Sequence, residues 1–270
     1  MKRIAFYCVN YNSYDTLLAF LKSIDIASES VEKTAMVSVY VADNSETILP
    51  IDYNPRKFML KHIVCGKNNG YFGGIKYAMN ILPPLSYDYT ILCNIDILLS
   101  PETLANLVDY KAAENVGWIA PAIYEKLRGI NANPFAMNRY SKFKLQLLRL
   151  SFKYPFIHYI YSHTLQKMKE YPELNEDKPI YAGHGSFMIL TNEFFTKCPQ
   201  LDYPVFLYGE ELFLAEECRK QNLEVVYVPN IKLTTLGSVS TGKLKRNTLY
   251  RYNFEALSFI LNKYYRKRDG

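Results

Sequence analysis

The feature that most constrains this chain is a rhythm. Short runs of β-branched and aromatic residues alternate with stretches whose apolar residues fall at helical spacing. Residues 4–9 form the first such run, and residues 15–26 follow with Leu17, Leu18, Leu21 and Ile24 on one side of a predicted helix. Residues 37–42, 62–64 and 89–93 read as further strands, and 74–82 as a short helix stopped by Pro83 and Pro84. Ser100, Pro101 and Glu102 predict a helix start, with a cap, a proline in the first turn and an acid near the positive helix end. Residues 117–123 form another strand. After an interruption, the rhythm returns with a strand at 187–190, a helix near 212–221 and a strand at 225–228. This alternation implies a Rossmann-like, mostly parallel central sheet flanked by helices. The 270 residues suffice for one large α/β domain or two small ones.

The interruption, 134–176, is basic and aromatic. Within it Ile157, Ile160, Tyr161 and Leu165 suggest a helix after Pro155, whereas 143–150 fits either a strand or a helix. Residues 134–170 carry seven Lys or Arg against Glu170, a net +6, and 242–270 carry eight against two acids, also +6. The rest of the chain sums to −6, so the total of +6 hides an acidic body with two basic attachments. The second attachment holds one long helix over roughly 245–266. It has Tyr250, Phe254, Leu257, Leu261 and Tyr265 on one stripe and Tyr252, Ala256, Phe259 and Ile260 beside it. So much apolar surface packs on the body, on a second copy in a homodimer, or on lipid. Basic residues interleaved with aromatics suit an anionic membrane surface. They are also compatible with nucleic acid, but no recognised motif supports that, and no nucleic acid is expected.

Composition removes other classes. With 49% hydrophobic and 21% charged residues the chain is neither disordered nor collagenous. Five cysteines without CxxC spacing suggest buried reduced thiols in a cytoplasmic protein. The N-terminal apolar run is broken by Asn10 and Asn12 and reads as a strand, not a signal peptide. No run reaches the ~18 uncharged apolar residues of a membrane span.

Polar clusters sit where three expected strands end: Asn10-Tyr11-Asn12, Asp43-Asn44-Ser45 and Asn94-Ile95-Asp96. Ligands of open parallel sheets bind beyond these carboxyl ends. Each cluster alone is ordinary turn chemistry; three at equivalent places are not. Between them, Asn68-Asn69-Gly70-Tyr71-Phe72-Gly73-Gly74 offers glycines for positive φ and close backbone approach to a ligand. It matches neither GxGxxG nor GxxxxGK[ST], which removes the dehydrogenase and P-loop readings. Tyr208-Gly209-Glu210-Glu211 places two acids at a helix start.

In order and spacing, over roughly residues 3–241, these clusters resemble inverting family 2 glycosyltransferases of GT-A fold, particularly bacterial rhamnosyltransferase-like members. VNYNS resembles their first nucleotide-binding loop and VADNS their V-D-N-x-S. NNGYFGG resembles N-x-G-F-x-G-G, and NID the D-x-D metal motif with Asn94 in the first place. HGSFMIL resembles the G-x-x-M acceptor strand, and YGEE the E-D motif, with Glu211 for the usual Asp.

The resemblance implies a catalytic domain over 1–241, including the 134–176 insertion, and a basic amphipathic helix over 242–270. It implies a nucleotide-diphosphate sugar held by Asn10, Asn12, Asp43, Asn44, Asn68, Gly70, Gly73, Asn94 and Asp96, with Mg²⁺ or Mn²⁺ on Asp96. Glu211 would be the general base with Glu210 beside it, and His184 and Gly185 would lie on the acceptor side. The implied acceptor is a hydroxyl of a glycan or lipid-diphosphate-linked glycan in bacterial surface polysaccharide synthesis. The implied location is cytoplasmic, peripheral on the inner face of the cell membrane. Many members carry a His near Thr235, absent here, with His184 a substitute. That departure, with Asn94, motivates an alternative: a catalytically weak, glycosyltransferase-like scaffold. A nucleotidyltransferase would want a Gly-rich basic N-terminal loop, which VNYNSYD is not.

Overall fold

A computed structural model of the chain describes residues 1–154, 156, 174–235 and 245–266. The helix expected after Pro155 lies outside them. The sheet holds ten strands among the described residues: β1 (Lys2–Asn10), β2 (Ala35–Asp43), β3 (Met59–Val64), β4 (Tyr89–Cys93), β5 (Ile97–Leu99), β6 (Val116–Glu125), β7 (Ile130–Asn131), β8 (Lys178–Ile180), β9 (Phe187–Thr191) and β10 (Glu224–Thr235). Their order is β3-β2-β1-β4-β9-β6-β10-β5, with β7 beside β6 and β8 beside β10. The β3-β2-β1-β4 half is parallel throughout. β9 then enters antiparallel to both β4 and β6, and β5 runs antiparallel to β10. The mixed, mostly parallel sheet is the expected one, and its antiparallel strands lie in the second half.

Helices cover both faces, so central strands are apolar on both sides rather than alternating. In β1, Ile4, Phe6 and Cys8 face α1 (Tyr14–Glu29) and α3 (Thr103–Asp109), while Ala5 and Tyr7 face the opposite layer. That layer contains α2 (Gly70–Ile81), α5 (Asn192–Lys197), α6 (Glu210–Lys220) and α7 (Arg246–Tyr264). All five cysteines are buried and free.

Three local expectations change. α2 begins at Gly70 rather than Gly74: Gly70 takes the expected positive φ, 73°, at the helix start, and both glycines are also points of close contact. A Cβ at Gly70 would stand 2.1 Å from the Phe206 carbonyl oxygen, and one at Gly74 3.0 Å from Val9. α3 begins at Thr103, and Ser100 does not cap it. The Ser100 hydroxyl instead meets Thr103 Oγ1 (3.0 Å) and the Lys232 carbonyl (3.1 Å). The ambiguous 143–150 run is helical, inside α4 (Lys142–Lys153), because Ser141 accepts from the Lys144 amide and Leu145, Leu148 and Phe152 form one packed stripe.

α4 packs on α7, with the Phe152 and Tyr250 rings 5.7 Å apart. α7 in turn buries Ala256, Leu257, Ile260 and Leu261 in the body's core. Each large apolar side chain so buried contributes about 1.5–3 kcal/mol. The apolar stripe of the tail helix therefore lies largely on the body. The buried Glu216 carboxylate fastens the arrangement: it accepts from Arg139 (2.6 Å), Arg219 (2.9 Å), Tyr181 (2.8 Å) and Tyr265 (3.3 Å). Burial pushes that carboxyl up, and the Arg139, Tyr181 and Arg219 bonds outweigh it, holding it below the usual carboxylate range. Among the described residues no helix is long and apolar enough to cross a membrane.

Candidate active site

β1 and β4 are neighbours, yet the chain passes from β1 to β2 and β3 on one side before returning to β4 on the other. At such a reversal the connections diverge and leave a crevice at the carboxyl ends of the strands. Here it is a cavity of about 370 Å³.

Beneath it lies a closed polar network. Asn10 pairs with Asp43 across the ends of β1 and β2, donating from Nδ2 to Oδ1 (3.3 Å). The Ser45 amide donates to the same oxygen (3.0 Å). Asp43 Oδ2 accepts from Tyr14 Oη (2.8 Å) and meets His62 Nε2 at 2.7 Å. The Asp43 side chain is 0% exposed. Burial drives its carboxyl up, but the bonds from Ser45, Tyr14 and His62 prevail and hold it below the usual range. Asn12 takes a left-handed turn at φ 51°, with its amide donating to Ser45 Oγ (2.8 Å). Neither Asn10, Asn12 nor Asp43 lines the cavity. Gly73 lies inside α2, against Asn69, and does not line it either.

The remaining expected residues converge on the cavity wall: Asn44, Asn68, Gly70, Asn94, Asp96, His184, Gly185, Glu210 and Glu211. Asn44 is buried, donates from Nδ2 to the Gly70 carbonyl (2.8 Å), and its Oδ1 has no hydrogen-bond partner among the described residues. A buried acceptor left so is costly unless a ligand or water meets it. Asp96 follows β4 by three residues. Glu210 and Glu211 open α6, where the helix dipole favours negative charge. The Gly185 amide donates to Glu211 Oε1 (3.2 Å), and a Cβ at Gly185 would stand 2.5 Å from that oxygen, so a side chain there would displace the Glu211 carboxylate from this position. Burial first, and the Glu211 charge second, push the Glu210 carboxyl well above the usual carboxylate range. His184 is oriented by Asn133, which accepts from its amide (2.7 Å), and by Ser186 Oγ, 2.8 Å from Nδ1.

Two wall elements went unmarked as site residues in the sequence. Tyr71 Oη donates to the Gly185 carbonyl (3.1 Å), bridging α2 to the acid pair. Phe206, Leu207 and Tyr208 form a strap across the cavity, with Phe206 accepting from the Tyr71 amide (3.2 Å). The aromatic run before Gly209 was the only signal for it. The cavity wall carries three carboxylates and one histidine, and no Lys or Arg among the described residues. An anion entering it needs a cation with it. Asp96 is a hard oxygen donor suited to one, though no group of three His, Cys, Asp or Glu side chains forms a metal cage among the described residues.

No protein-family model matches the sequence, and no curated protein does. Among solved structures, the chain is similar to the mannosyltransferase PcManGT from Pyrobaculum calidifontis, determined with GDP-Man and Mn²⁺. The identity is 12% and the TM-score 0.50, over 88% of this chain and 58% of that one. It is also similar to GalNAc-T7, determined with UDP, GalNAc and Mn²⁺, at 11% identity and a TM-score of 0.61, over 98% of this chain and 49% of that one. The chain thus spans about half the length of these solved proteins. At such identities the likeness establishes the fold, which is of the GT-A type.

Proposed function

We propose that this protein is a divalent-metal-dependent, inverting glycosyltransferase that moves a sugar from a nucleotide diphosphate to a hydroxyl of a glycan or lipid-diphosphate-linked glycan. The observation that carries this reading is the meeting of Asp96 with Glu210 and Glu211, more than a hundred residues apart, in one cavity at the chain reversal of a GT-A sheet. The sequence motifs support a family 2, rhamnosyltransferase-like member acting in bacterial surface polysaccharide synthesis. On this reading residues 1–241 are the catalytic unit and 242–270 a basic attachment whose helix α7 packs on it.

Asn44, Asn68 and the Tyr11–Ser13 turn form the nucleotide end of the cavity. Asn10 and Asp43 act from below, fixing that turn. Asp96, with the Asn94 amide near it, holds Mg²⁺ or Mn²⁺. One carboxylate plus phosphate oxygens and water is a sufficient set for Mg²⁺, and the absence of Lys and Arg from the wall among the described residues fits a diphosphate that enters with its cation. When bound, the ion neutralises charge on the leaving diphosphate.

Glu211 accepts the acceptor hydroxyl proton as that oxygen bonds to the anomeric carbon. The bond from that carbon to the diphosphate oxygen breaks, and a nucleoside diphosphate leaves. One displacement inverts the centre. Glu210, its carboxyl pushed up by burial and by the Glu211 charge, orients a hydroxyl beside the base. The Gly185 amide and His184 flank the acceptor.

A thermal-shift screen of UDP-, dTDP- and GDP-sugars with and without Mn²⁺ tests the reading. One nucleotide class should stabilise the protein only with metal, by about 2.7 kcal/mol at a hundredfold excess over Kd, and the transferred sugar should show inverted configuration by NMR. No shift with any nucleotide would sink the transferase, and nucleotide binding without sugar transfer over a donor-acceptor panel would favour the scaffold.

The same reading places the protein on the cytoplasmic face of an anionic membrane, supported by Phe143, Leu150, Tyr154 and Phe156, exposed beside Lys142 and Lys153. Because α7 belongs to the core, flotation on anionic vesicles is better tested with Phe143→Ser/Phe156→Ser than by removing the tail. Equal flotation of both forms would reject this surface.

A further inference from the structure

The strap and the tail helix share a contact that the transfer chemistry does not explain. Gly209, the residue before α6, has φ 81°, and Tyr208 before it has φ 70°. A non-glycine residue at such a φ is held there by its surroundings. Three groups do the holding. Tyr203 Oη donates to the Tyr208 carbonyl. The same hydroxyl would lie 2.6 Å, and Ala256 Cβ of α7 2.9 Å, from any Cβ at Gly209. Tyr252, one turn earlier on α7, lays its ring over Phe206 with centroids 5.1 Å apart and planes tilted by 31°. Phe206 also meets the head of α2: its carbonyl accepts from the Tyr71 amide (3.2 Å), and a Cβ at Gly70 would stand 2.1 Å from that oxygen.

We infer that Tyr252 and Ala256 are positioning residues for the cavity: α7 clamps the strap 203–209 and thereby sets where Glu210 and Glu211 stand. The clamp needs an aromatic face at 252 and a small residue at 256. Tyr252 is half-buried and its ring, not its hydroxyl, makes the Phe206 contact, so phenylalanine serves equally. A leucine at 256 would drive Gly209 off α7 and rotate the first turn of α6 away from Gly185. Glu255, on the same helix, is exposed and reaches the clamp only through a 3.8 Å surface pair with Arg251, whose guanidinium lies over the Tyr252 ring; an exposed pair of that length contributes little. The consequence for turnover rests on the transferase reading; the clamp itself does not.

The experiment is hydrogen exchange on the full chain, read in the peptide covering 203–213, for wild type, Tyr252→Ala, Tyr252→Phe, Ala256→Leu and Glu255→Ala. Tyr252→Ala and Ala256→Leu should speed exchange there by about tenfold or more while the β1 and β4 amides stay protected. Tyr252→Phe and Glu255→Ala should match wild type. In the transfer assay the two disrupting variants should lose about tenfold or more in kcat and keep nucleotide affinity within about twofold, because the nucleotide end lies on β1 and β2. Should Tyr252→Ala lose its global fold, Tyr252→Leu, which keeps bulk but not the ring face, carries the same comparison. Unchanged exchange in 203–213 for Ala256→Leu together with Tyr252→Ala or its leucine substitute overturns the inference. If wild type transfers nothing, the exchange result still decides the clamp, and only the transferase reading falls.

Discussion

Two acids stand at the carboxyl ends of β2 and β4, the strands on either side of β1, and they live in opposite surroundings. Asp43, at the end of β2, has no exposed side-chain surface and is bonded to Ser45, Tyr14, His62 and Asn10. Asp96, just past β4, faces a cavity shared with Glu210 and Glu211. The carboxyl pKa values diverge accordingly: Asp43 is held down by its donors, Glu210 is forced up by burial and by Glu211. The same chemical group thus secures the scaffold in one place and is kept available for reaction in the other. What separates the two is enclosure: Asp43 is sealed among its donors, whereas Asp96 lines a cavity.

That contrast can be broken, and the widest gap should come from the base. Glu211→Gln is expected to lower transfer about 10²–10⁴-fold with the denaturation midpoint nearly unchanged. Normal turnover by this variant would remove Glu211 from the chemistry. Next, Asp43→Ala should cost about 3 kcal/mol in urea unfolding, since several bonds to a buried charge are lost at once. A variant of wild-type stability that no longer binds nucleotide would instead move Asp43 to the working side. Asp96→Ala should fold as wild type but lose the Mn²⁺-dependent part of the nucleotide shift, up to about 2.7 kcal/mol; an intact shift would place the ion elsewhere.

The pH dependence sharpens the contrast. Asp43 has a folded pKa below its unfolded value, so its stabilisation is full above the unfolded value and is lost as pH falls through the folded one. The deficit of Asp43→Asn should therefore be largest near neutrality and vanish in acid. Glu210 is raised, so its penalty is absent in acid and grows as pH climbs above its unfolded value. Glu210→Gln should gain stability over that same climb. Parallel rather than opposite slopes in melting curves would erase the distinction. The smallest change is expected from His62→Ala, about 1 kcal/mol, because its side chain is partly exposed and three other donors remain on Asp43.

Much of this was legible beforehand. The strands of the first half announce themselves because a parallel sheet covered on both faces needs unbroken apolar runs. The acids at their ends stand out because a polar residue there interrupts such a run. Which acid would be sealed was not legible, since Tyr14 and His62 reach Asp43 from a helix and a strand separated by dozens of residues. Local pattern also misplaced the start of α2: glycines suggested an open loop, whereas Gly70 and Gly74 are required by the Phe206 carbonyl and the Val9 side chain pressing on them. The 143–150 run stayed ambiguous because its helical stripe is defined only by α7, which it packs against. The antiparallel direction of β9 is likewise set by its neighbours β4 and β6, not by its own residues.

The meeting of Gly209 with Ala256 has a thermodynamic corollary. A coupling free energy between two places has no direction. If α7 sets the geometry of the acid pair, then any ligand that draws the strap closed must tighten α7 against the body by the same factor. Equally, whatever grips the outer side of α7 must change the affinity of the cavity. The last described helix would then serve as a second handle on the site, reachable without entering it.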